Sequence, residues 1–504
     1  MIWELIQRYT YYILLLVIIL FADHIIDRRL MISRVLRIVA FASPWFILPV
    51  IGFEFKLLNI VFILLATLGS IIISFYSEGY LKILFGKISS LQMIIDITLL
   101  FIIIFFTTQN LIEFVIIWII VELMGSLLVL LERGMRNYNV VMKYLLVCVT
   151  AGDISLFLLL ALTAMKIGFD QTLIVSLEEL KNLNLTLNPL LTILALIGFT
   201  TKLAQIPLHF WLVDTYTETS SPGTAIFSGL MSKMAIYAIL NIYSLLNLDI
   251  TIYTYMLLIQ GIITTIYGFL LTTLHSDIKK IMSYSSLGHY GVMTMIASLI
   301  PYNNIFYTLL LLYVLYHGFL KIQAFLNVST IEILTNTRDI YRLGYLAQVA
   351  RKVYSYSIIT FLSLIGIPPT LGFYAKFALL VSLFMLFNQV PLISLIIIIC
   401  IGFASVFSVI YSIKYISTYT SSYRSKPIRT TIPLTNTQYW SEICSAVSAV
   451  ILPLMFLFIG VNTFIDRIAF IVYVLSILSM FLTYIIYRKY APRETKIWVG
   501  GIEV

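Results

Sequence analysis

Charge is what this sequence has least of. Asp, Glu, Lys and Arg make up only 11% of its 504 residues, against 61% hydrophobic residues. A water-soluble domain carries roughly 25% charged residues. No stretch is long and polar enough to form a separate soluble domain, so a soluble enzyme is excluded and a polytopic membrane protein remains. Cysteine is almost missing. Cys148, Cys400 and Cys444 lie far apart in apolar surroundings, with neither metal-ligand spacing nor a disulfide framework. No Gly-rich nucleotide loop and no paired haem ligands occur. The chain is therefore expected to carry no redox centre, no metal and no bound cofactor. The net charge of +9 does not imply nucleic acid as a partner, because the basic residues cluster in short loops, where positive charge sets membrane orientation.

What the sequence does have is apolar runs of the length that crosses a hydrocarbon core of roughly 30 Å as helix. Fifteen spans are expected, centred near residues 14, 44, 66, 100, 120, 153, 198, 234, 263, 289, 318, 370, 404, 452 and 476. The first apolar run, about Tyr11 to Ala22, follows Glu4 and Arg8 and lacks a small-residue cleavage site; it reads as a retained span and not a signal peptide. Twenty-three Lys and Arg fall in the tail and in loops after odd-numbered spans, Arg28, Arg29, Arg34 and Arg37 among them. Only Arg8, Lys56, Lys166, Lys181 and Arg467 fall on the other side. This asymmetry puts the N-terminus outside and the C-terminus inside.

The four remaining basic residues, Lys202, Lys233, Lys321 and Lys376, lie inside apolar spans, and all four are lysine. A lysine at a helix centre costs about 2.5–3.5 kcal/mol on insertion scales. Snorkelling accounts for lysines near span ends, but these stand about two turns or more from one. Burial can strip a lysine of its proton, whereas arginine keeps it, so four lysines without an arginine suit a hydrated proton path. Carboxylates for such a path are Glu122 in "FVIIWIIVELMGSLLVLL", Asp153 in "VCVTAGDISLFLLL" and Asp96 in "LQMIIDITLLFII". Intramembrane acids and bases in one bundle tend to pair, and Glu122 is the expected partner of Lys202. For Asp96 an interfacial place is an equal alternative. His317 and Lys321, four apart, share a helix face and can pass a proton; His289 is a further candidate.

Two spans are interrupted by proline. Pro207 stands five residues after Lys202, with His209 and Asp214 close behind it; Pro368 and Pro369 precede Lys376. Proline removes a helix hydrogen bond and clashes with the preceding turn. At membrane depth freed backbone is tolerated only against protein or a water-filled cavity. Breaks in spans seven and twelve are five spans apart, which predicts two five-helix units of opposite orientation. The expected organisation is residues 1–90 for three N-terminal spans, 91–247 and 248–420 for the repeats, and 421–504 for the last spans and tail.

The stretch "GFTTKLAQIPLHFWLVDTYTETSSPGTAIFSGLMSKMAIY", from Gly198 to Tyr237, resembles the central signature of the antiporter-like membrane subunits. These belong to respiratory complex I (NADH-quinone oxidoreductase), energy-converting membrane-bound hydrogenases and multisubunit sodium/proton antiporters. "LHSDIKKIMSYSSLGHYGVM", "YHGFLKIQAFLNVSTI" and "GIPPTLGFYAKFALL" resemble the family's tenth, eleventh and broken twelfth spans. The resemblance covers roughly residues 90 to 390. It implies an all-α fold of about 14–15 transmembrane helices with two inverted repeats, and two half-channels joined along the midplane. By motif match, Glu122 is the fifth-span glutamate paired with Lys202. Lys233 bridges from the eighth span, His317 and Lys321 form the eleventh-span connection, and Lys376 stands at the exit, where the family carries a lysine or glutamate.

The function so implied is proton translocation by a non-redox subunit of a complex I-like oxidoreductase in a prokaryotic cell membrane. The alternative is a subunit of a cation/proton antiporter without redox partners. Implied partners are other antiporter-like and small membrane subunits, hydrophilic redox subunits carrying iron–sulfur clusters and using quinone, and the lipid bilayer. A Na⁺ site needs several oxygen ligands, which a lysine-lined path lacks, so H⁺ is the expected ion. The tail "ETKIWVGGIEV" is similar to ends in the hydrogenase branch.

Overall fold

The computed structural model describes residues 2–86, 88–131, 137–421, 434–459, 463–490, 498–499 and 502–503. The basic loop residues Lys87, Arg133, Arg136, Arg424, Lys426 and Arg429, and the tail from 491 to 497, lie outside them. Every described element is helical except a small antiparallel hairpin of Trp498–Val499 and Ile502–Glu503. Each of the fifteen expected span centres falls on a helix or on the break between two half-helices. Among the described residues nine helices are long and apolar enough to cross a membrane by themselves, or ten if the bent pair Leu30–Ala42 and Pro44–Val50 is one span. The protein is a multi-pass integral membrane protein.

Local chemistry sets the helix ends. Helix N-termini leave orphan backbone N–H groups that side-chain oxygens satisfy. Asn188 caps the N-terminus of Pro189–Lys202, Asp249 that of Ile250–Leu274, and Asp277 accepts from the N–H groups of Lys279 and Lys280 at the start of Ile278–Ser298. At the start of Leu111–Leu130, Asn110 and Glu113 form a reciprocal capping box, and Arg8 of the first span ties Glu113 down at 2.6 Å.

Burial separates the inner helices from the lipid-facing ones. In Ser221–Leu245 and Ile305–Thr335, 94% and 83% of the most apolar window is buried, against 33% in Pro391–Thr420. The first two thus form the centre of the bundle, and they carry Lys233, His317 and Lys321. Ile278–Ser298, rich in Ser, Lys and His, is buried along nearly its whole length and so needs no apolar outer face.

Both interrupted spans are broken where proline stands. Pro189–Lys202 stops at Lys202 and the chain resumes as Phe210–Glu218; Arg351–Ile365 stops before Gly366 and resumes as Leu371–Leu386. Each expected five-helix unit, 91–247 and 248–420, contains one such break.

Several basic residues differ from their expected loop positions. Arg37 lies inside Leu30–Ala42, fully buried, 2.7 Å from Glu78 and 3.6 Å from Asp96. Lys279 is also buried and donates to the Thr219 carbonyl. Charge counting does not distinguish a loop arginine from one a turn inside the following helix, where a carboxylate can balance it. Asp96 is buried and bonded to Gln92. Cys444 is exposed on the outer surface.

Candidate functional site

The site starts at the first helix break. Lys202 is the last residue of its half-helix, 1% exposed, and its Nζ lies 3.0 Å from Oε1 of the fully buried Glu122. Nζ also donates to the Tyr144 hydroxyl at 3.1 Å, and that hydroxyl donates to the Glu122 backbone carbonyl at 3.2 Å. The ring faces of Tyr144 and Trp118 lie 5.2 and 5.9 Å from the ammonium, within cation–π range. Gly152 makes the room: a Cβ there would meet Trp118 Nε1 at 3.2 Å and Glu122 Oε1 at 3.3 Å. The break supplies its own partners. Trp211 Nε1 donates to the Thr201 carbonyl, the Gln205 amide to that of Thr200, and the Ile206 amide to Thr264 Oγ1. Freed backbone is thus met by protein, as membrane depth requires.

Two short π-helical turns shape the region. One runs Tyr144–Val149, the other Phe227–Met231; such turns recur at functional sites because they re-aim the residues that follow. Tyr144 opens the first. The second holds Ser228, whose carbonyl accepts from Lys233 Nζ at 2.5 Å. Lys233 also touches Ser232 Oγ at 3.1 Å and His317 Nδ1 at 2.7 Å. This contact is one of several hydrogen bonds that join the two expected five-helix units. Among the described residues no carboxylate pairs with Lys233, so the ammonium is balanced by neutral oxygens and an imidazole.

From His317 the contacts run to His289, whose ring centroid is 5.2 Å away. His289 Nδ1 meets the Tyr313 hydroxyl at 2.8 Å and Nε2 meets that of Tyr411 at 3.3 Å. Beyond lies a cavity of about 10 Å³ lined by His289, Tyr313, Lys376 and Ser408 among others, room for about one water. Lys376 sits on its far side. Its Nζ donates to the Leu364 and Ile365 carbonyls at 2.8 and 2.9 Å and to Ser408 Oγ at 3.2 Å. Those carbonyls end the half-helix before the Pro368–Pro369 break, where a cation complements the orphan acceptors and the helix dipole.

The remaining expected residues are placed unevenly. Lys321, one turn from His317, is fully buried but turns away to the Met282 carbonyl and Ser285 Oγ. Asp153 is half-buried beside Gly152, with Oδ1 unpartnered among the described residues, and it makes no bond to Lys202. His209 bonds the Pro207 carbonyl and stacks edge-on against Tyr267. Asp214 pairs with Lys143 at 2.6 Å at the surface. His209 and Asp214 are therefore outside the chain of contacts. Tyr144, Ser228 and Ser285 were not singled out by sequence, since hydroxyls in apolar runs are common. Among the described residues no hydrogen bond links the Lys202 group to Lys233; Phe227, Trp211 and Tyr216 lie between them.

A family model described as NADH:quinone oxidoreductase/Mrp antiporter, transmembrane, matches residues 108–408. A Na(+)/H(+) antiporter subunit of Alkalihalophilus pseudofirmus is 30% identical over 220 residues, 44% of each chain. An NADH-quinone oxidoreductase subunit of Rickettsia typhi is 30% identical over 237 residues, 46% of this chain and 47% of that one. The chain spans about half the length of the curated relatives it matches. In three dimensions it is similar to a chain of the Mrp complex from Dietzia sp. (TM-score 0.71, 17% identity, 92% and 95% coverage). It is also similar to a chain of a membrane-bound sulfane sulfur reductase, an archaeal respiratory membrane complex (TM-score 0.72, 20% identity, 86% and 74% coverage). At these identities the structural likeness bears on the fold alone.

Proposed function

The chain belongs to the NADH:quinone oxidoreductase/Mrp antiporter transmembrane family, and from that premise we propose that it translocates protons as a membrane subunit of a complex I-like respiratory oxidoreductase in a prokaryotic cell membrane. The observation that carries this reading is the buried Glu122–Lys202 pair at a helix break, followed by the Lys233–His317 hydrogen bond and the Lys376 site. Lys202 holds a proton while the Glu122 carboxylate is near and releases it toward Lys233 when that carboxylate moves away. His317 receives it on the imidazole, His289 and the small cavity continue the path, and Lys376 delivers it at the second break. Tyr144 positions both members of the first pair. Residues 91–247 and 248–420 act as two inverted units, with Lys233 and His317 at their seam.

In this reading the chain binds no cofactor. Iron–sulfur clusters and quinone chemistry belong to hydrophilic partner subunits, and other antiporter-like and small membrane subunits flank it. A second reading, a component of a cation/proton antiporter without redox partners, draws on the similarity to the Na(+)/H(+) antiporter of Alkalihalophilus pseudofirmus. Purification of the native complex through a tag on this chain separates the two: iron–sulfur subunits are expected to accompany it, and a complex free of redox subunits contradicts the first reading. Reconstituted with Lys233→Ala, that complex is expected to lose proton translocation through this subunit; translocation at the wild-type rate contradicts the relay.

A further inference from the structure

A buried glutamate without a basic partner among the described residues lies outside the chain of contacts described above. Glu442, in the second turn of Asn436–Ile459, is 2% exposed. Its oxygens take hydrogen bonds from Asn327 Nδ2 at 3.1 Å and from Thr330 Oγ1. Among the described residues no Lys, Arg or His pairs with it. The other buried glutamates, Glu78, Glu113 and Glu122, each hold an arginine or lysine. Burying a carboxylate with neutral donors alone costs several kcal/mol, so a group kept this way is suited to something other than anchoring. Lacking a fixed counter-charge, it can take up and give up a proton without breaking an ion pair.

Its surroundings form a polar column. Glu442 stands six residues past Asn436, about 9 Å into the helix. In the sequence, Arg424, Lys426 and Arg429 precede that helix, and the positive-inside asymmetry assigns them to the inner aqueous side. One turn closer to that side is Gln438, buried, its Nε2 unpartnered among the described residues. In the other direction Asn327 joins Glu442 to two phenols: its Oδ1 accepts from the hydroxyls of Tyr415 and Tyr419, both at 2.6 Å. Each phenol gives its proton to Asn327 and so offers its own oxygen as an acceptor. Tyr411, Tyr415 and Tyr419 recur every fourth residue along one face of Pro391–Thr420, and all three are buried. Tyr411 reaches His289 at 3.3 Å, and Lys321 Nζ touches Ser285 Oγ.

We propose that Glu442 is a second proton inlet, opening to the inner aqueous side and feeding Lys321 and His289 independently of the Glu122–Lys202 pair. The inference rests on the relay reading above. The step moves one proton: an O–H bond of Glu442 breaks and an N–H bond forms at Lys321 or His289, with water and the tyrosine hydroxyls between them. Asn327 is a positioning residue, since an amide orients the column without conducting.

The test uses the intact complex in vesicles, with proton uptake driven by a potassium diffusion potential and read by an enclosed pH dye. Glu442→Gln is expected to lower uptake about tenfold at high pH on the inlet side, where protons are scarce, and less at low pH. Glu442→Asp is expected to restore most of the rate and the normal pH profile. Melting of the complex is followed alongside. Wild-type uptake by Glu442→Gln at every pH overturns the proposal, as does a pH-independent loss that tracks a lowered melting temperature. Lys202→Ala, run in parallel, reports on the relay separately: wild-type uptake there contradicts the relay reading, while a pH-dependent deficit in Glu442→Gln supports the inlet whatever that variant does.

Discussion

The residue that sets the chemistry is a lysine held by a carboxylate, a phenol and two aromatic faces. Taking one partner from such a buried pair costs roughly 3–5 kcal/mol, because the other charge is left unbalanced, whereas removing both is often close to neutral. Glu122→Gln and Lys202→Met are each expected to lower the melting temperature of the complex, and the double variant to recover most of that loss. If the double variant melts as low as the two losses added together, the two groups are not energetically paired. Lysines in apolar runs are visible from sequence because each breaks a run that should contain no charge, and so Lys202, Lys233, Lys321 and Lys376 were legible as a set. Glu442 and Arg37 were not. Each lies within two turns of a helix end, where a charged residue in a sequence reads as interfacial, and only packing reveals that it is buried.

At the scale of the helix, two devices position these residues: breaks and close contacts. Pro207 and Pro368–Pro369 were legible, because proline at membrane depth has few explanations. The π-helical turns Tyr144–Val149 and Phe227–Met231 were not, since no residue type marks them. Close approach depends on glycine. A Cβ at Gly198 would stand 2.3 Å from the Ala151 carbonyl oxygen, and one at Gly268 would stand 2.4 Å from the Gly288 amide nitrogen. Small residues let membrane helices meet backbone to backbone, and these two contacts hold the first broken span and the helix pair Ile250–Leu274 and Ile278–Ser298. Gly268→Leu is expected to destabilise the protein by more than the ~1–3 kcal/mol typical of overpacking, because backbone cannot yield as a side chain does. The purified complex should melt several degrees lower, with less of the chain recovered in membranes. Unchanged melting would mean that the two helices are not in contact there.

For the molecule as a whole, the expected spans and the inside–outside charge asymmetry of the sequence predict one orientation. In a Cys444→Ser background, Asn182→Cys in the loop after the sixth span is expected to react with an impermeant maleimide added to intact cells. Asn336→Cys, after the eleventh span, is expected to react only once the membrane is opened; both positions are exposed. Labelling of Asn336→Cys from outside would reverse the orientation and, with it, the side on which Glu442 takes up protons. The whole-molecule architecture was the most legible level, because apolar length and loop charge are summed over many residues and single errors such as Arg37 do not overturn the sum. The route between the buried groups was least legible: His289 and Lys321 exchange prominence because side-chain direction, not spacing, decides which of them faces the cavity near Lys376.

The central claim is that Lys202 works by releasing its proton and not by its charge alone. Lys202→Arg keeps the charge beside Glu122 but holds its proton at any pH the protein meets. Proton translocation by the Lys202→Arg complex in vesicles is therefore expected to fall nearly as far as that of Lys202→Ala, with assembly intact. Translocation at the wild-type rate would mean that a fixed positive charge at this position suffices, and would contradict the account.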